Sequence, residues 1–387
     1  MRRGLELGVL VVAVLLGYGI AGVFAGPGGI EPSLTPEPGV RSEPAPTSTT
    51  SMLETTSPEA RAYLVWASGG LTPQLVDGLR SRFDDVSVVK GDVVELEAGD
   101  GWVVPLDGLA LDPDDHRSFD PNRSLGSLAP GAVVLGESSA EFRGLGEGDD
   151  LSIAGSIFRI VGVVPDSVVG AAEVVFDMSD PDAPVHTDRY ALVYSDLPRP
   201  EFEEAVRSFY EGPAPIRIRT DGETPWLRHG DAVLPQIFVK MALGEFSYRS
   251  FSSSGFIQDE SFLSDHVVTA DVPILGEVTC HEVIVDMLNG AMGQLIDEGL
   301  GHLVDPAGFA GCWNPRYIRT IIGTLAGISR HAWGAAIDIN APTNPMGSAG
   351  DQDPRLVEIM QSWGFTWGGD WLVPDPMHFE YGVTPGR

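Results

Sequence analysis

The residues best able to do chemistry lie near the C-terminus. His331 sits in the run Ser329-Arg330-His331-Ala332-Trp333-Gly334-Ala335-Ala336-Ile337-Asp338-Ile339-Asn340, and His378 in Asp375-Pro376-Met377-His378-Phe379-Glu380-Tyr381. Neutral imidazole is a good ligand for a borderline-soft divalent cation near pH 7, and Asp338 adds a carboxylate oxygen. Two His and one Asp leave the fourth position of a tetrahedral zinc ion open for water. That is the ligand set of a hydrolytic site rather than a closed structural one. One more carboxylate is then needed, to take the proton of that water.

These residues need particular elements to hold them. Asp338 follows His331 by seven residues, and on a strand this odd spacing would place them on opposite faces. A turn must intervene, and Gly334 supplies one, while the small Ala335 and Ala336 allow close backbone approach. Asp375 stands between Pro374 and Pro376, which hold it in a loop rather than a strand. There it can sit beside the water instead of binding the metal. Glu380 is the rival for this role, because at two residues from His378 it shares that strand face. His116, His186, His229, His266, His281 and His302 show no ligand-like spacing and read as surface or core residues.

Ser329, His331, Gly334, Ala336 and Asp338, followed by Asp375 and His378, resemble the signature of the VanY-like D-alanyl-D-alanine carboxypeptidase family. The resemblance covers about residues 271–381. It implies a small α+β zinc peptidase acting on peptidoglycan stem peptides, either as a D,D-carboxypeptidase or as an L-Ala-D-Glu-type endopeptidase. It implies Zn2+ on His331, Asp338 and His378, with Asp375 as general base; several members carry Glu there, and the endopeptidase-like branch carries Asp. The family also uses an arginine upstream of the first motif. Its usual Ser-Gly-Tyr-Arg is absent here, which leaves Arg316 and Arg319 as candidates, and a guanidinium suits a substrate carboxylate or carbonyl. Ser329 and Trp333, on either side of His331, are expected at the substrate. The alternative reading is a non-catalytic cell-wall-binding or scaffold protein with a peptidase-like domain.

The remaining chain reads as export and support. Arg2 and Arg3 precede an apolar run over residues 7–25, so residues 1–25 are expected to be a signal peptide or a membrane anchor, with the rest of the chain outside. Residues 26–58 are rich in Pro, Ser and Thr and read as a disordered linker. Residues 61–220 read as an α+β domain. Strands are expected at 63–66, 86–89, 151–154, 158–164, 190–194 and 216–219, and helices from Thr72 and over 201–210. Gly155-Ser156 signals a hairpin. Within this stretch residues 134–163 resemble part of the periplasmic core domain of MacB-type transporters. That implies a fold and a possible protein partner, not transport.

Residues 221–270 read as a connecting segment, with Arg228 and His229 in a polar-aromatic loop. Residues 271–387 form the expected peptidase domain. In it a helix is expected over 282–298, closed by Gly299, a second helix from Asp353-Pro354, and strands at 365–367 and 378–381. There are two cysteines and no C-x-x-C, so an exported chain is expected to pair Cys280 with Cys312. A net charge of -31 argues against nucleic-acid partners.

Overall fold

The computed structural model describes residues 61–210, 212, 215–220, 234–252, 255–318 and 327–383. The expected N-terminal segment and linker, and Arg228, His229 and Arg319, lie outside these residues. Among the described residues the protein is mixed α+β, and no helix is long and apolar enough to cross a membrane.

The first strand, β1 (Arg61–Ala67), buries Tyr63, Leu64 and Val65 completely, as a strand covered on both faces must. α1 (Pro73–Arg82) starts as its sequence dictates: Thr72 Oγ1 accepts from the Leu75 N–H and Pro73 takes the first turn. β2 (Asp85–Gly99) and β3 (Trp102–Leu111) form a long hairpin, of which only residues 86–89 were expected as strand. Next come β4 (Ala132–Gly136), α2 (Glu137–Arg143), β5 (Asp150–Ile153) and β6 (Ser156–Val164). Ala154 and Gly155, at the turn between β5 and β6, both have positive φ, 51° and 86°, as a two-residue type I′ hairpin loop requires. α3 (Asp166–Val169), β7 (Val174–Asp177), β8 (Asp188–Ser195), α4 (Arg199–Phe209) and β9 (Ile216–Thr220) complete this stretch.

The segment read as a connector is built into the same structure. It contributes α5 (Gln236–Leu243), β10 (Tyr248–Ser250), β11 (Phe256–Gln258) and α6 (Glu260–His266). Eleven strands join in the order β11-β10-β3-β7-β4-β6-β5-β2-β8-β1-β9, and a further β2–β3 pairing closes six of them into a ring. Val94, Leu106, Val133, Leu135, Phe158 and Phe176 belong to one buried apolar core of that ring.

A second architecture follows. β12 (Val267–Val272) and β13 (Gly276–His281) form a hairpin, and Asp271, the expected start of the C-terminal domain, lies within its first strand. α7 (Glu282–Asp297) turns Ile284, Leu288, Ala291, Met292 and Leu295 inward. Beyond its end Gly299 has φ 71°, and the Leu300 N–H returns to Leu295 O, a glycine-dependent helix stop. β14 (Ala336–Asp338), α8 (Pro354–Ser362), β15 (Phe365–Trp367) and β16 (His378–Tyr381) follow, with the strands ordered β14-β16-β15. Ile337, Ile339 and Phe379 anchor this small sheet in a core shared with α7 and α8.

Candidate metal centre

Strand register brings the first two ligand candidates together. Asp338 on β14 pairs directly with His378 on β16, so their side chains leave the sheet side by side. His378 Nδ1 lies 3.0 Å from Asp338 Oδ1. His331 reaches the same carboxylate from a short 3-10 turn, Arg330–Trp333, with Nε2 3.3 Å from Asp338 Oδ2. Gly334 ends that turn in the left-handed region, at φ 63°. A Cβ at this position would stand 2.5 Å from His281 N, so only glycine lets the turn lie against β13. The turn required between His331 and Asp338 is therefore present at the expected residue.

His331, Asp338 and His378 are all buried, and one ligand atom of each lies within 4.8 Å of the others. The trio fits a divalent cation on the chemistry of its donors. His331 Nδ1 is 2.7 Å from Cys312 O, which fixes the ring and directs Nε2 inward. That Nε2 is buried and, apart from its approach to the Asp338 carboxylate, has no well-formed hydrogen bond. A buried ring nitrogen without a partner is costly unless something else takes its lone pair. His378 Nε2 is likewise engaged, 3.1 Å from Glu380 Oε2, which leaves Nδ1 to face Asp338 and the centre.

The disulfide Cys280–Cys312 is present, with the Cα atoms 5.4 Å apart. It tethers the segment that supplies Cys312 O to β13. Beside it Gly311 bridges to Asp338: Asp338 N donates to Gly311 O at 3.2 Å.

Charge follows this geometry. Burial pushes the Asp338 carboxyl up, but hydrogen bonds and charge from His331 and His378 outweigh it and hold the pKa well below the usual carboxylate range. Burial pushes His378 down, yet Asp338 and Glu380 on its two nitrogens raise it to about 10. Without a metal, the imidazole therefore carries a proton between two carboxylates.

Asp375 lies in the expected loop, half-buried, with its N–H on Gly368 O at 2.9 Å and its own carbonyl accepting from the His378 N–H at 3.0 Å. Its Oδ1 is buried and unpartnered. Burial, with the charge of Asp338, raises its pKa, while His378, His331 and Arg316 pull the other way. Arg316 is half-buried on the segment bridged to Gly255, and its carbonyl accepts from the Ser329 N–H. Glu380, the rival base, lies on the far nitrogen of His378.

Trp333 departs from expectation. It is fully buried, its indole N–H donates to Gly244 O at 3.1 Å, and its ring packs on Phe246 at 4.7 Å. The apolar ring is a core element and presents nothing to a substrate. Ser329 is also buried, as the residue that opens the 3-10 turn. Trp371 was not singled out by sequence, yet its ring lies 5.2 Å from that of His378. No spacing rule flags a loop tryptophan. Cys312 O and Glu380, as partners of the two imidazoles, were also missed; of these only the shared face of His378 and Glu380 gave a signal.

Residues 323–381 match the model of a family described as D-alanyl-D-alanine carboxypeptidase. The matched stretch holds all three candidate ligands together with Asp375 and Glu380, and leaves out Arg316 and both cysteines. No curated protein matches the chain. Among solved structures, the periplasmic region of MacB from Actinobacillus actinomycetemcomitans is 15% identical, covering 43% of this chain and 92% of that one with a TM-score of 0.30. A domain of a putative permease protein from Porphyromonas gingivalis is 10% identical, covering 43% and 90% at a TM-score of 0.26. The extracellular domain of the noncanonic ABC-type transporter YknZ from Gram-positive bacteria is 10% identical, covering 37% and 88% at 0.27.

Proposed function

We propose that the protein is an exported zinc peptidase that hydrolyses peptide bonds of peptidoglycan stems. The observation that carries this reading is the buried trio His331, Asp338 and His378, converging within 4.8 Å beside a half-buried second aspartate. The carboxypeptidase family match over the same stretch supports the substrate class. Bound by the trio, a zinc ion would acidify a water and polarise the scissile carbonyl.

The chain's own groups do the rest. Asp375, its carboxylate partly withdrawn from solvent and its Oδ1 free of other partners, takes the proton of the attacking water and delivers it to the leaving amine. Arg316, whose charge faces Asp375, holds the substrate's carboxylate or carbonyl oxygen. Glu380 orients His378 through Nε2. Arg319 stays a second candidate for the substrate arginine, and Ser329 shapes the turn rather than touching the peptide.

The division of labour along the chain is part of the proposal. Residues 271–387 carry the chemistry, residues 61–220 serve protein contact, residues 221–270 join them, and residues 1–25 direct export or anchor the chain in the membrane. A disulfide between Cys280 and Cys312 fits an oxidising compartment.

Elemental analysis of the purified full chain tests the reading. About one zinc per chain is expected in the wild type and none in His331→Ala. Asp375→Asn keeps its zinc and loses wall hydrolysis by roughly 100-fold or more. A wild-type chain without zinc, or undiminished hydrolysis in His331→Ala, would overturn it.

A further inference from the structure

Asp375, the base of the proposed reaction, has no partner on Oδ1 to aim its side chain. Its backbone is held instead. The Asp375 N–H donates to Gly368 O, and its carbonyl accepts from the His378 N–H. The carbonyls on either side are held too. Pro374 O accepts from the Gly347 N–H at 2.6 Å. Pro376 O accepts from the Trp367 indole N–H at 2.8 Å and from Gln352 Nε2 at 3.2 Å. Pro374 and Pro376 bring no N–H of their own, so donors from other segments must fix this loop.

Gln352 is the donor that also reaches the strand of the metal centre. The same Nε2 donates to Ile339 O at 2.9 Å, and Oε1 accepts from Asn340 Nδ2 at 2.9 Å. Both N–H groups and the oxygen of the amide therefore have partners. Ile339 follows the ligand Asp338, and its N–H donates to the carbonyl of Met377, the residue before the ligand His378. One side chain thus joins the chain just after Asp338 to the chain just after Asp375.

Gln352 is itself firmly placed. It directly precedes Asp353, whose carboxylate caps α8 by accepting from the Arg355 N–H, and α8 is rooted in the core through Leu356 and Met360. On its other side the loop from Asn340 to Asp351 is pinned by the fully buried Asn344. That amide donates to Asn340 O and to Asp351 Oδ1, each at 3.0 Å, and accepts from the Asp351 N–H at 2.8 Å. Gly350 lets this loop lie against the loop of the base. It has φ 67°, and a Cβ there would stand 2.5 Å from Pro376 Cβ.

We propose that Gln352 is a positioning residue for the base. By tying Pro376 O to Ile339 O it sets the aim of the Asp375 carboxylate relative to the trio. This rests on the zinc-peptidase reading above, with Asp375 as base, and extends it to a residue outside the site. The hydrogen bonds of Gln352 go to two backbone carbonyls and to Asn340, not to the side chains of the trio. Its loss is therefore expected to misplace the base without removing a metal ligand.

The test compares wild type, Gln352→Met, Asp375→Asn and the double variant as zinc-loaded full chains acting on muropeptides. Gln352→Met keeps the length of the side chain and removes both donors. Its turnover should fall by roughly 10- to 100-fold, the loss that follows when a reacting group is misplaced by about 1 Å. KM and the zinc dissociation constant should stay unchanged. The double variant should be no slower than Asp375→Asn alone, because the amide acts through the base. A general weakening of the fold would add in full instead. Hydrogen exchange of the metal-free chain gives a readout independent of activity: the Asp375 and Gly347 N–H groups should exchange faster in Gln352→Met than in wild type.

Should Gln352→Met fail to fold, Gln352→Glu carries the same comparison, since it keeps the shape and the acceptor and loses the donors. Undiminished turnover, a loss that traces to weaker zinc binding or adds in full to that of Asp375→Asn, or unaltered exchange at Asp375 and Gly347 would overturn the assignment and leave the zinc reading intact. A wild-type chain without zinc-dependent hydrolysis would overturn both.

Discussion

At the scale of single residues, the centre depends on which ring nitrogen each histidine offers. His331 presents Nε2 because Nδ1 is held at Cys312 O; His378 presents Nδ1 because Nε2 is held at Glu380. Sequence made both histidines and Asp338 legible, because ligand types and a motif are local. It did not reveal the partner of either ring, because a backbone carbonyl has no sequence signature and Glu380 was weighed only as the rival of Asp375 for the role of base. The metal-free state of His378 has a consequence for pH. Its ordinary value of 6.5 is raised to about 10 in the fold. A raised pKa stabilises the folded state fully below about 6.5, and that contribution is lost as pH rises through about 10. Zinc must displace this proton, so its stabilising effect runs the other way and grows with pH. Melting curves between pH 6.5 and 9 should therefore fall with pH in chelator and diverge upward with excess zinc; parallel curves would refute the assignment of that proton.

At the scale of elements, two local devices bring the ligands into one place. The first is the left-handed turn at Gly334, legible in the sequence because an odd spacing of ligands demanded a reversal and only one glycine stood between them. Gly334→Ala forces a positive φ on an L-residue and a contact of 2.5 Å with His281 N. It should cost more than about 2 kcal/mol and lower the thermal midpoint along with zinc content. A stable, zinc-replete alanine variant would show that the turn is dispensable.

The second device is the disulfide. It encloses a separation of 32 residues, for which about 3–4 kcal/mol of stabilisation is expected from loop closure. Replacing both cysteines with serine should remove that amount in denaturant titration. It should also weaken zinc binding, since the segment whose residue-312 carbonyl holds His331 would lose its covalent tether to β13. Loss of stability without loss of zinc affinity would separate the bridge from the metal centre. Trp333 marks the limit of reading by adjacency: next to a ligand in sequence, it belongs to the aromatic core around Phe246.

At the scale of the whole molecule, the sheet and the C-terminal architecture meet through α5, β10 and β11, in the segment that sequence reads as a connector. Such a segment is hard to recognise because its apolar runs are short and its role depends on partners distant in sequence. Gln236 and Lys240 lie more than sixty residues from Glu173. Removing one member of this buried cluster strands a charge. Lys240→Met is expected to cost about 3–5 kcal/mol, and Glu173→Gln in the same chain should recover much of it. Equilibrium unfolding of the two single variants and the pair measures this directly, and simple additivity would show that the two side chains do not act together.

His331, Asp338 and His378 are proposed to hold a zinc ion whose chemistry, with Asp375 as base, cleaves peptidoglycan peptides. This is tested most directly by mass spectrometry of muropeptides after incubation with the zinc-loaded full chain, the chelated chain and Asp375→Asn. Shortened stem peptides are expected with the zinc-loaded wild type only. Intact muropeptides in all three samples, or equal cleavage in all three, would contradict it.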